Sequence, residues 1–264
     1  MSGTRPRIFR AEGIVLRRRN IGEADSVFTV LGTDGRRFEA VARGVRKTRS
    51  RMRGHLEPLT HGKFLIAAGK SLDVFTQVET VNAYRTIRED LDRSSAAIYC
   101  CELAERFTVE GEGSGGLFAL LRACLEALGE RPSPLVLRYF EFHVLMLTGF
   151  ALQLGACALC GCRLPEEPAL FSASAGGLAC RACRHEAGIG RLVSVPAIKM
   201  LRYASQANVA QFCDVTAAGD VLADLESALG ESVVYQLDRR PAARQFIDDV
   251  AALRRQATAG GESR

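Results

Sequence analysis

The stretch DSVFTVLGTDGRRFEAVARGV, residues Asp25 to Val45, consists of two apolar-rich runs on either side of Thr33-Asp34-Gly35. Asp-Gly between two such runs is a strong signal for a tight β-hairpin, because its residues tolerate the positive φ angles of the turn. The stretch therefore predicts two antiparallel strands, and it indicates that the N-terminal part of the chain is a β structure.

The segments on either side continue the β pattern. IFRAEGIVL, from Ile8 to Leu16, holds β-branched apolar residues without helical spacing, and the segment from Gly62 to Val81 repeats the hairpin arrangement around Gly69-Lys70-Ser71. About five short strands in roughly 75 residues are typical of a small barrel, and we predict an OB-fold. An SH3-like barrel also has about five strands, so the strand count alone leaves that alternative open.

After about residue 85 the apolar period becomes helical. Ser133-Pro134 predicts the start of a helix that is apolar nearly all round, which indicates the centre of a helical core. The uncharged window 142–162 is long enough to cross a membrane, but Gly149 and His143 within it favour a buried helix followed by a loop. The predicted helices span residues 94–109, 117–128, 134–149, 195–206, 217–229 and 241–255.

The predicted fold class is α+β, with an N-terminal five-stranded OB-fold barrel followed by an all-helical domain that contains an inserted four-cysteine zinc module. GEGSGG at 111–116 follows a helix instead of a strand, so we interpret it as a linker. The predicted divisions are 1–84 for the nucleic-acid-binding barrel, 85–154 and 191–255 for the two parts of the helical domain, 155–190 for the zinc-binding module and 256–264 for a disordered tail.

The composition is that of a globular protein, since the 264 residues are 47% apolar and 25% charged. The net charge of +5 conceals an asymmetry, because residues 1–63 carry +9 and the remainder carries −4. A basic first quarter indicates a polyanionic partner. The start MSGTRPRIFR lacks the apolar region of a signal peptide, so we expect a cytoplasmic protein with no membrane partner, whose nine cysteines are thiols or metal ligands.

The basic run between the third and fourth predicted strands, residues 43–53, contains six cations and no acid. Arginine contacts phosphate bidentately, and six such side chains would release several counterions on binding. Because Phe28, Phe38 and Phe64 are predicted to lie in the barrel core, little aromatic surface is left and backbone contacts are favoured over base reading. A solvated, flexible basic loop is the alternative. The candidate nucleic-acid-binding residues are Arg43, Arg46, Lys47, Arg49, Arg51 and Arg53, extended by Arg17, Arg18, Arg19, Arg36 and Arg37.

Two C-x-x-C pairs lie further along the chain, and nineteen residues separate them. Zinc takes four soft ligands in a tetrahedron, and this spacing is a strong signature of one structural zinc ion. A redox pair is less favoured because it belongs at a strand-to-helix turn, and a catalytic zinc needs an open position that four cysteines do not leave. The predicted ligands are Cys157, Cys160, Cys180 and Cys183.

Other cysteine and histidine residues leave some choices open. Cys162 and His185 are close enough in sequence to replace one of the four ligands. His55 and His61 flank the basic run and are interpreted as surface residues that could contact phosphate. The remaining thiols lie on helical stretches and are predicted to be small core residues; they are Cys100, Cys101, Cys124 and Cys213.

Catalytic motifs are not visible in the sequence. It contains no phosphate-binding loop, dinucleotide fingerprint or metalloprotease helix, and only four histidines. We therefore predict that the protein is not an enzyme.

Several segments together resemble the bacterial recombination mediator RecO family. They are GIVLRRRNIGEADS (13–26), AVARGVRKTRSRMRGHLEP (40–58), REDL (88–91), the four-cysteine module and LDRRPAARQF (237–246), and the resemblance covers roughly residues 8–250. Two features depart from the family pattern. Ala242 and Ala243 stand where a more basic segment is common, which leaves DNA contacts from Arg239, Arg240 and Arg244 open, and Cys162 is an additional thiol.

The resemblance implies an OB-fold, a helical domain and an inserted zinc module. It implies a DNA repair and recombination protein of the RecF pathway that acts after DNA damage, is nucleoid-associated, binds single- and double-stranded DNA, and anneals complementary strands. With RecR it would promote RecA loading on DNA coated by single-stranded DNA-binding protein (SSB), so that RecA is an indirect partner. The cations of the basic run would be DNA contacts, and the four cysteines would bind zinc.

Two other classes of protein remain open from the residues themselves. One is an RNA-binding OB-fold protein, in which the same basic run contacts RNA. The other is a zinc-ribbon adaptor that binds proteins and leaves the basic run solvated.

Overall fold

The computed structural model describes residues 7–109 and 113–261, with 257–261 described by their backbone. The chain divides into two compact units, Met1–Gly129 and Glu130–Arg264. The first unit holds five strands and three helices: β1 (Ile8–Ile21), β2 (Asp25–Gly32), β3 (Arg37–Ala42), β4 (His61–Ala67), β5 (Asp73–Asn82), α1 (Arg85–Arg88), α2 (Leu91–Arg106) and α3 (Leu117–Glu130).

The five strands close into a barrel in the order β1-β2-β3-β5-β4. β3 and β5 pair in parallel, with Ala40 opposite Asp73, and the other pairs are antiparallel. This arrangement is that of the OB-fold, so the predicted barrel is confirmed and the order of strands resolves the choice that their number left open.

The β2–β3 hairpin forms where the Asp-Gly signal predicts it. Gly35 has a φ of +77°, and a Cβ atom at this position would lie 2.2 Å from the carbonyl oxygen of Ser114. Asp34 Oδ1 accepts the backbone N–H of Arg36 at 3.0 Å, and the N–H of Gly32 donates to the Arg36 carbonyl at 2.8 Å. Both the turn angle and the close approach of another backbone therefore require glycine at position 35.

Aromatic and β-branched side chains fill the barrel. Phe75 lies between Phe28 and Phe64, with ring centroids 6.2 and 5.2 Å away. Val45 and Leu56, from the segment that joins β3 to β4, are fully buried in the same core. Phe28 and Phe64 are buried and Phe38 packs against this core, so these three residues occupy the places predicted for them.

β1 is longer than the sequence pattern predicts, because it continues through Arg17, Arg18 and Arg19 to Ile21. These arginines were expected after the first strand, but they pair with Thr29, Phe28 and Val27 of β2 beyond a bulge at Val15/Arg17. This part of β1 pairs with β2 but not with β4, and its residues are mostly exposed, so apolar periodicity does not detect it.

Helix α2 belongs to the barrel unit. Two arginines of the barrel contact Glu105 of α2. The Arg17 guanidinium lies 3.1 Å from the Glu105 carboxylate, and the Arg37 guanidinium donates to the Glu105 backbone carbonyl at 2.8 Å. Arg88 of α1 donates to the carbonyl oxygen of Pro58 at 2.6 Å. The compact units therefore divide at 129/130, whereas the sequence places the end of the barrel domain at 84.

The second unit is built around α4, which the sequence predicts as the centre of a helical core. Its elements are α4 (Pro134–Leu147), β6 (Ala169–Ser172), β7 (Gly177–Ala179), β8 (Arg191–Val193), α5 (Val195–Ala204), α6 (Val209–Cys213), α7 (Gly219–Leu237) and α8 (Ala242–Gly261). Ser133 Oγ accepts the N–H of Leu135 at 3.2 Å, and α4 then packs against α5, α6 and α7. Arg138 and Glu141 are buried in it as an ion pair of 3.0 Å.

Several segments differ from their predicted bounds. The short helices α1 and α6 were not predicted, and α7 extends to Leu237. Helix α8 continues to Gly261, past residue 256 where the sequence suggests a disordered tail, and 262–264 lie outside the described residues. Part of the GEGSGG linker also lies outside them. None of the helices in the described part of the chain is long and apolar enough to span a membrane.

Replacement of Leu56 by alanine tests the core of the first unit. We expect Leu56→Ala to lower the free energy of unfolding by about 2–5 kcal/mol, because a fully buried side chain leaves a cavity. Urea unfolding followed by circular dichroism measures this change. Tryptic cleavage within residues 43–53 should become faster at the same time. Ile8→Ala is the control, because Ile8 is 58% exposed and its loss should change stability by no more than about 0.5 kcal/mol. Equal cleavage rates in both variants would contradict the anchoring of this segment by Leu56.

Candidate nucleic-acid interface and candidate metal centre

The β3–β4 loop, residues 43–60, contains the basic run and covers one end of the barrel. Val45 and Leu56 are fully buried, Leu59 is 3% exposed, and Met52 packs against the barrel core. Apolar side chains therefore alternate with the cations and fix the backbone of the run to the barrel. This arrangement differs from the flexible solvated loop that the sequence left as an alternative.

The turn between β1 and β2 holds the start of the same loop. Asp25 Oδ1 accepts the N–H of Gly44 at 2.7 Å, and the N–H of Arg46 donates to the carbonyl of Ala24 at 2.9 Å. The Arg46 guanidinium donates to the carbonyl of Gly22 at 3.2 Å. Gly44 has a φ of +64°, which allows the chain to turn here.

The cations of the basic run all point to solvent. Each of Arg43, Arg46, Lys47, Arg49, Arg51 and Arg53 is exposed. Within the described part of the chain, no carboxylate forms an ion pair with any of the six. A cluster of unneutralised positive charges on a fixed backbone attracts polyanions and suits phosphate oxygens.

The five outlying arginines are divided between different surroundings. Arg17 and Arg37 contact Glu105 of α2, and Arg36 lies in the β2–β3 turn, at the far end of the strand pair from Arg43. These three are not brought together with the basic run, and as DNA contacts they stay predictions.

The other two outlying arginines lie on β1, closer to the basic run. Arg18 stacks 5.8 Å from the centre of the Phe28 ring and donates to Ser26 Oγ at 3.2 Å. Arg19 is exposed and pairs with Val27, which is paired on its other side with Val41. Arg19 is therefore the outlying arginine that extends the strand end from which the basic run begins.

The histidines beside the run are engaged within the first unit. His55 Nδ1 lies 2.8 Å from Thr80 Oγ1, and His61 is buried with Nε2 2.9 Å from Glu12 Oε1. The interpretation of His61 as a surface residue was wrong, because β4 turns its side chain against Phe118 of α3 at 5.4 Å.

In the second unit, two of the C-terminal arginines are paired with acids. Arg244 contacts Glu226 of α7 and lies 3.0 Å from Asp248, and Arg240 also contacts Asp248. The contact with Glu226 joins α8 to α7, while both contacts with Asp248 lie within residues 240–248, and together they engage the two guanidinium groups.

A cysteine cluster forms the candidate metal centre of the second unit. The Sγ atoms of Cys157, Cys160, Cys162 and Cys180 all lie within 4.8 Å of one another. The Cys160 and Cys180 sulfur atoms are 3.8 Å apart, which is about the edge of a tetrahedron whose corners lie ~2.3 Å from a central ion. The four thiols could hold a metal ion.

A small hairpin assembles the first half of this cluster. The N–H of Cys157 donates to the carbonyl of Cys162 at 2.9 Å, and the N–H of Gly161 donates to the carbonyl of Cys157 at 2.9 Å. Gly161 supplies the φ of +73° that the turn requires. The N–H of Ala158 then donates to the carbonyl of Leu178 at 2.8 Å, which fixes the hairpin to β7 immediately before Cys180.

Backbone N–H groups favour the thiolate form of two of these cysteines. The N–H of Cys160 and that of Cys180, the latter at 3.3 Å from the sulfur, lower the pKa of Cys157 to about 6. The N–H of Cys183 lowers the pKa of Cys180 in the same way. Hydrogen bonds with Cys160 and Cys180 raise the pKa of Cys162 to about 12 and that of Cys183 well above its usual value.

Three of the four predicted ligands lie in the tight group, and Cys162 is its fourth member. Cys183 is not a member of this group, and its backbone N–H donates to the carbonyl of Cys180 at 3.1 Å in the turn that follows β7. His185 is exposed and is not a member of the group. The sequence signal for Cys162 was its place two residues after Cys160, but spacing alone could not rank it against Cys183.

The remaining thiols lie outside the cysteine cluster. Cys100, Cys101 and Cys124 are buried in the helices of the first unit, as predicted, and Cys213 is partly buried at the end of α6. Burial raises the pKa of Cys101 to about 12, which keeps this thiol protonated and unreactive.

A closed OB-type barrel with an exposed basic loop, followed along the chain by helices and a four-cysteine cluster, is an architecture typical of nucleic-acid-binding proteins. Comparison with known proteins specifies the family. Residues 7–84 match the family model described as "Recombination protein O N terminal", and residues 88–245 match "Recombination protein O C terminal". The chain belongs to the RecO family of DNA repair and recombination proteins.

Curated relatives carry the same family name over most of the chain. The "DNA repair protein RecO" of Dehalococcoides mccartyi strain CBDB1 is 34% identical over 94% of this chain and 98% of its own length. The protein of that name from Roseiflexus sp. strain RS-1 is 36% identical over 95% of this chain and 89% of its own length. The one from Moorella thermoacetica is 36% identical over 93% of this chain and 92% of its own length. The resemblance seen in the basic and cysteine segments is thus confirmed at the level of the family.

Replacement of Asp25 tests how the basic run is held. Asp25→Ala removes the acceptor of the Gly44 N–H, and a hydrogen bond to a charged group contributes about 1.5–3 kcal/mol. We therefore expect hydrogen exchange at the Gly44 amide to become roughly tenfold faster or more, as measured by NMR. Asp25→Asn keeps an acceptor oxygen and should show a smaller effect. Asp34→Ala, at the opposite end of the strand pair, is the control. An unchanged Gly44 exchange rate in Asp25→Ala would disprove the role of this carboxylate.

Proposed function

We propose that this protein is a non-enzymatic recombination mediator of the RecF pathway that acts on DNA in the cytoplasm, in association with the nucleoid. It binds single- and double-stranded DNA and anneals complementary strands. With RecR it promotes the loading of RecA on SSB-coated single-stranded DNA. The observation that carries the proposal is the basic run of six exposed cations, held on the end of an OB-fold barrel by buried Val45 and Leu56.

The basic run is suited to the phosphate backbone. Guanidinium groups form bidentate hydrogen bonds with phosphate oxygens, and each neutralised phosphate releases counterions. Residues 43–53 contain no aromatic side chain, and the barrel phenylalanines Phe28, Phe64 and Phe75 are buried, so base stacking is not the basis of recognition in this region. Binding should therefore depend weakly on base sequence.

Annealing follows from the same electrostatics. Two DNA strands repel each other through their phosphates, and a positive surface that contacts both strands lowers this repulsion. Complementary bases then pair, and base stacking stabilises the duplex without any bond being made or broken by the protein. A rigid loop is an advantage here, because its cations do not have to be ordered when the strands bind.

We also propose that the metal of the cysteine cluster is zinc and that its role is structural. Zinc favours thiolate ligands in a tetrahedron, and the 3.8 Å between the sulfur atoms of Cys160 and Cys180 fits that geometry. The segment that it would hold has only short strands, β6, β7 and β8. A bound ion would supply folding free energy that so small a sheet lacks.

Charge-neutralising variants test the assignment of the basic run. Arg49→Gln/Arg51→Gln removes two exposed cations, and loss of two phosphate contacts should reduce the slope of log K against log salt by about 1.4 on single strands and about 1.8 on duplexes. Fluorescence anisotropy with labelled DNA at several salt concentrations gives this slope.

The matched control for this pair is Arg181→Gln/Arg184→Gln, which removes the same charge from exposed positions in the cysteine module. Its slope should equal that of the unmodified protein. Equal losses in both double variants would show that affinity follows total charge and would contradict a specific role of the basic run. Stronger binding to RNA than to DNA would favour an RNA-binding protein.

Annealing on coated strands tests the mediator role. We expect the protein to accelerate pairing of two complementary oligonucleotides precoated with the cognate SSB, and Arg49→Gln/Arg51→Gln to slow this reaction. Fluorescence quenching between labelled strands measures the rate. Acceleration on bare strands alone would reduce the proposal to DNA binding. No effect on either substrate would leave the zinc-ribbon adaptor as the better hypothesis.

A further inference from the structure

Five cysteines could serve the candidate metal centre, four from the close group and Cys183 from the second C-x-x-C pair, but a tetrahedral ion takes four ligands. Cys157, Cys160 and Cys180 occur in both possible sets of four thiols. The set closed by Cys162 is the mutually close group within 4.8 Å. The set closed by Cys183 is the one that the two C-x-x-C pairs provide. The fourth ligand is therefore the question that this centre raises.

Cys162 reaches the cluster because of the hairpin that precedes it. The N–H of Cys157 donates to the carbonyl of Cys162, and Ala156 and Arg163 form a bridge one residue further out. Residues paired in this way across a hairpin have Cβ atoms about 4.5–5.5 Å apart, so both side chains lie beside the same site. The position of Cys162 thus follows from the local backbone and does not depend on the second C-x-x-C pair.

Cys183 reaches the cluster from the other segment. The N–H of Cys183 donates to the carbonyl of Cys180 at 3.1 Å in a tight turn. The carbonyl of Cys183 accepts the N–H groups of Glu186 and Ala187 at 3.1 and 3.0 Å, which fixes the residue from behind. Because a two-residue spacer lets both thiolates of a C-x-x-C pair reach one ion, this turn keeps the Cys183 thiol within reach of an ion that Cys180 binds.

We propose that Cys157, Cys160 and Cys180 bind the metal permanently and that Cys162 and Cys183 alternate as its fourth ligand. The inference rests on the proposed zinc centre and concerns which residues of this chain serve it. In each arrangement one thiol is displaced, and it stays beside the ion because its own backbone is fixed. Either thiol could then complete a set of four ligands with the three permanent ones.

Serine variants of the two alternating residues test the proposal. Zinc content and affinity, measured on the full chain by elemental analysis and chelator competition, should change by only about twofold in Cys162→Ser and in Cys183→Ser, because each variant loses one of two arrangements. The double variant should lose more than about 100-fold in affinity, since even an outer-shell change costs about 10–100-fold. Cobalt in place of zinc should show the absorption of four thiolates in both single variants and of three in the double variant. Cys213→Ser, outside the cluster, is the control.

Three results would overturn the alternation. A large loss in Cys183→Ser with none in Cys162→Ser would assign the site to the two C-x-x-C pairs alone, and the reverse pattern would assign it to the hairpin set alone. Four-thiolate binding in the double variant would exclude both residues. If the unmodified protein bound neither zinc nor cobalt, the proposal of a zinc centre would be wrong. If the unmodified protein bound zinc normally and the variants gave any of the three results above, only the alternation of Cys162 and Cys183 would be refuted.

Alkylation of the unmodified protein supplies a test that does not depend on the folding of variants. Zinc-loaded protein is treated briefly with iodoacetamide, and the labelled cysteines are identified by peptide mass spectrometry. The alternation requires that label divide between Cys162 and Cys183 while Cys157, Cys160 and Cys180 stay protected. Label on only one of the two alternating residues would mean that the other is a permanent ligand, and would refute the proposal.

Discussion

Burial of Val45 and Leu56 in the barrel core is the constraint on which the candidate interface depends. Six cations within eleven residues repel one another, and repulsion alone would extend the segment into solvent. Each buried aliphatic side chain contributes about 1.5–3 kcal/mol, which exceeds the repulsion between neighbouring charges in water. The folded state therefore keeps the cations close together despite their repulsion. A polyanion that neutralised the cations would lower this electrostatic repulsion.

Acidic residues determine which of the other arginines have structural roles. Glu105 of α2 receives Arg17 and Arg37, and Asp248 and Glu226 receive Arg240 and Arg244. Exposed ion pairs stabilise weakly, but a paired guanidinium has fewer donors for phosphate. Arg17 and Arg37 are thus engaged by Glu105, whereas the six cations of the basic run have no ion-pair partner among the described residues.

The sequence predicts most of the fold for reasons that can be named. The Asp-Gly turn, the second hairpin and the α4 start at Ser133-Pro134 are local signals whose physical requirements the structure satisfies. The order of the strands was not predictable, because pairing of β3 with β5 depends on contacts far apart in the chain. Polar strand residues and ion pairs between distant elements leave no periodic pattern in a sequence. For this reason the sequence predicted neither the extension of β1 nor the contact of Arg17 with Glu105.

The candidate metal site shows the limit of spacing arguments. Spacing predicted Cys157, Cys160, Cys180 and Cys183, but the close group contains Cys162 in place of Cys183, because the position of Cys162 depends on how the hairpin is oriented in space.

The charge of the centre also bears on the basic residues around it. Four thiolates outweigh a divalent ion by two negative charges, and Arg163, Arg181 and Arg184 are exposed within two residues of the cysteines. In the proposed centre these arginines would lie close to that excess of negative charge, whereas the described residues place no ion-pair partner beside the cations of the basic run. On the proposed function, the chain would use exposed arginines in two places, beside its own anionic site and in a run that attracts an external polyanion.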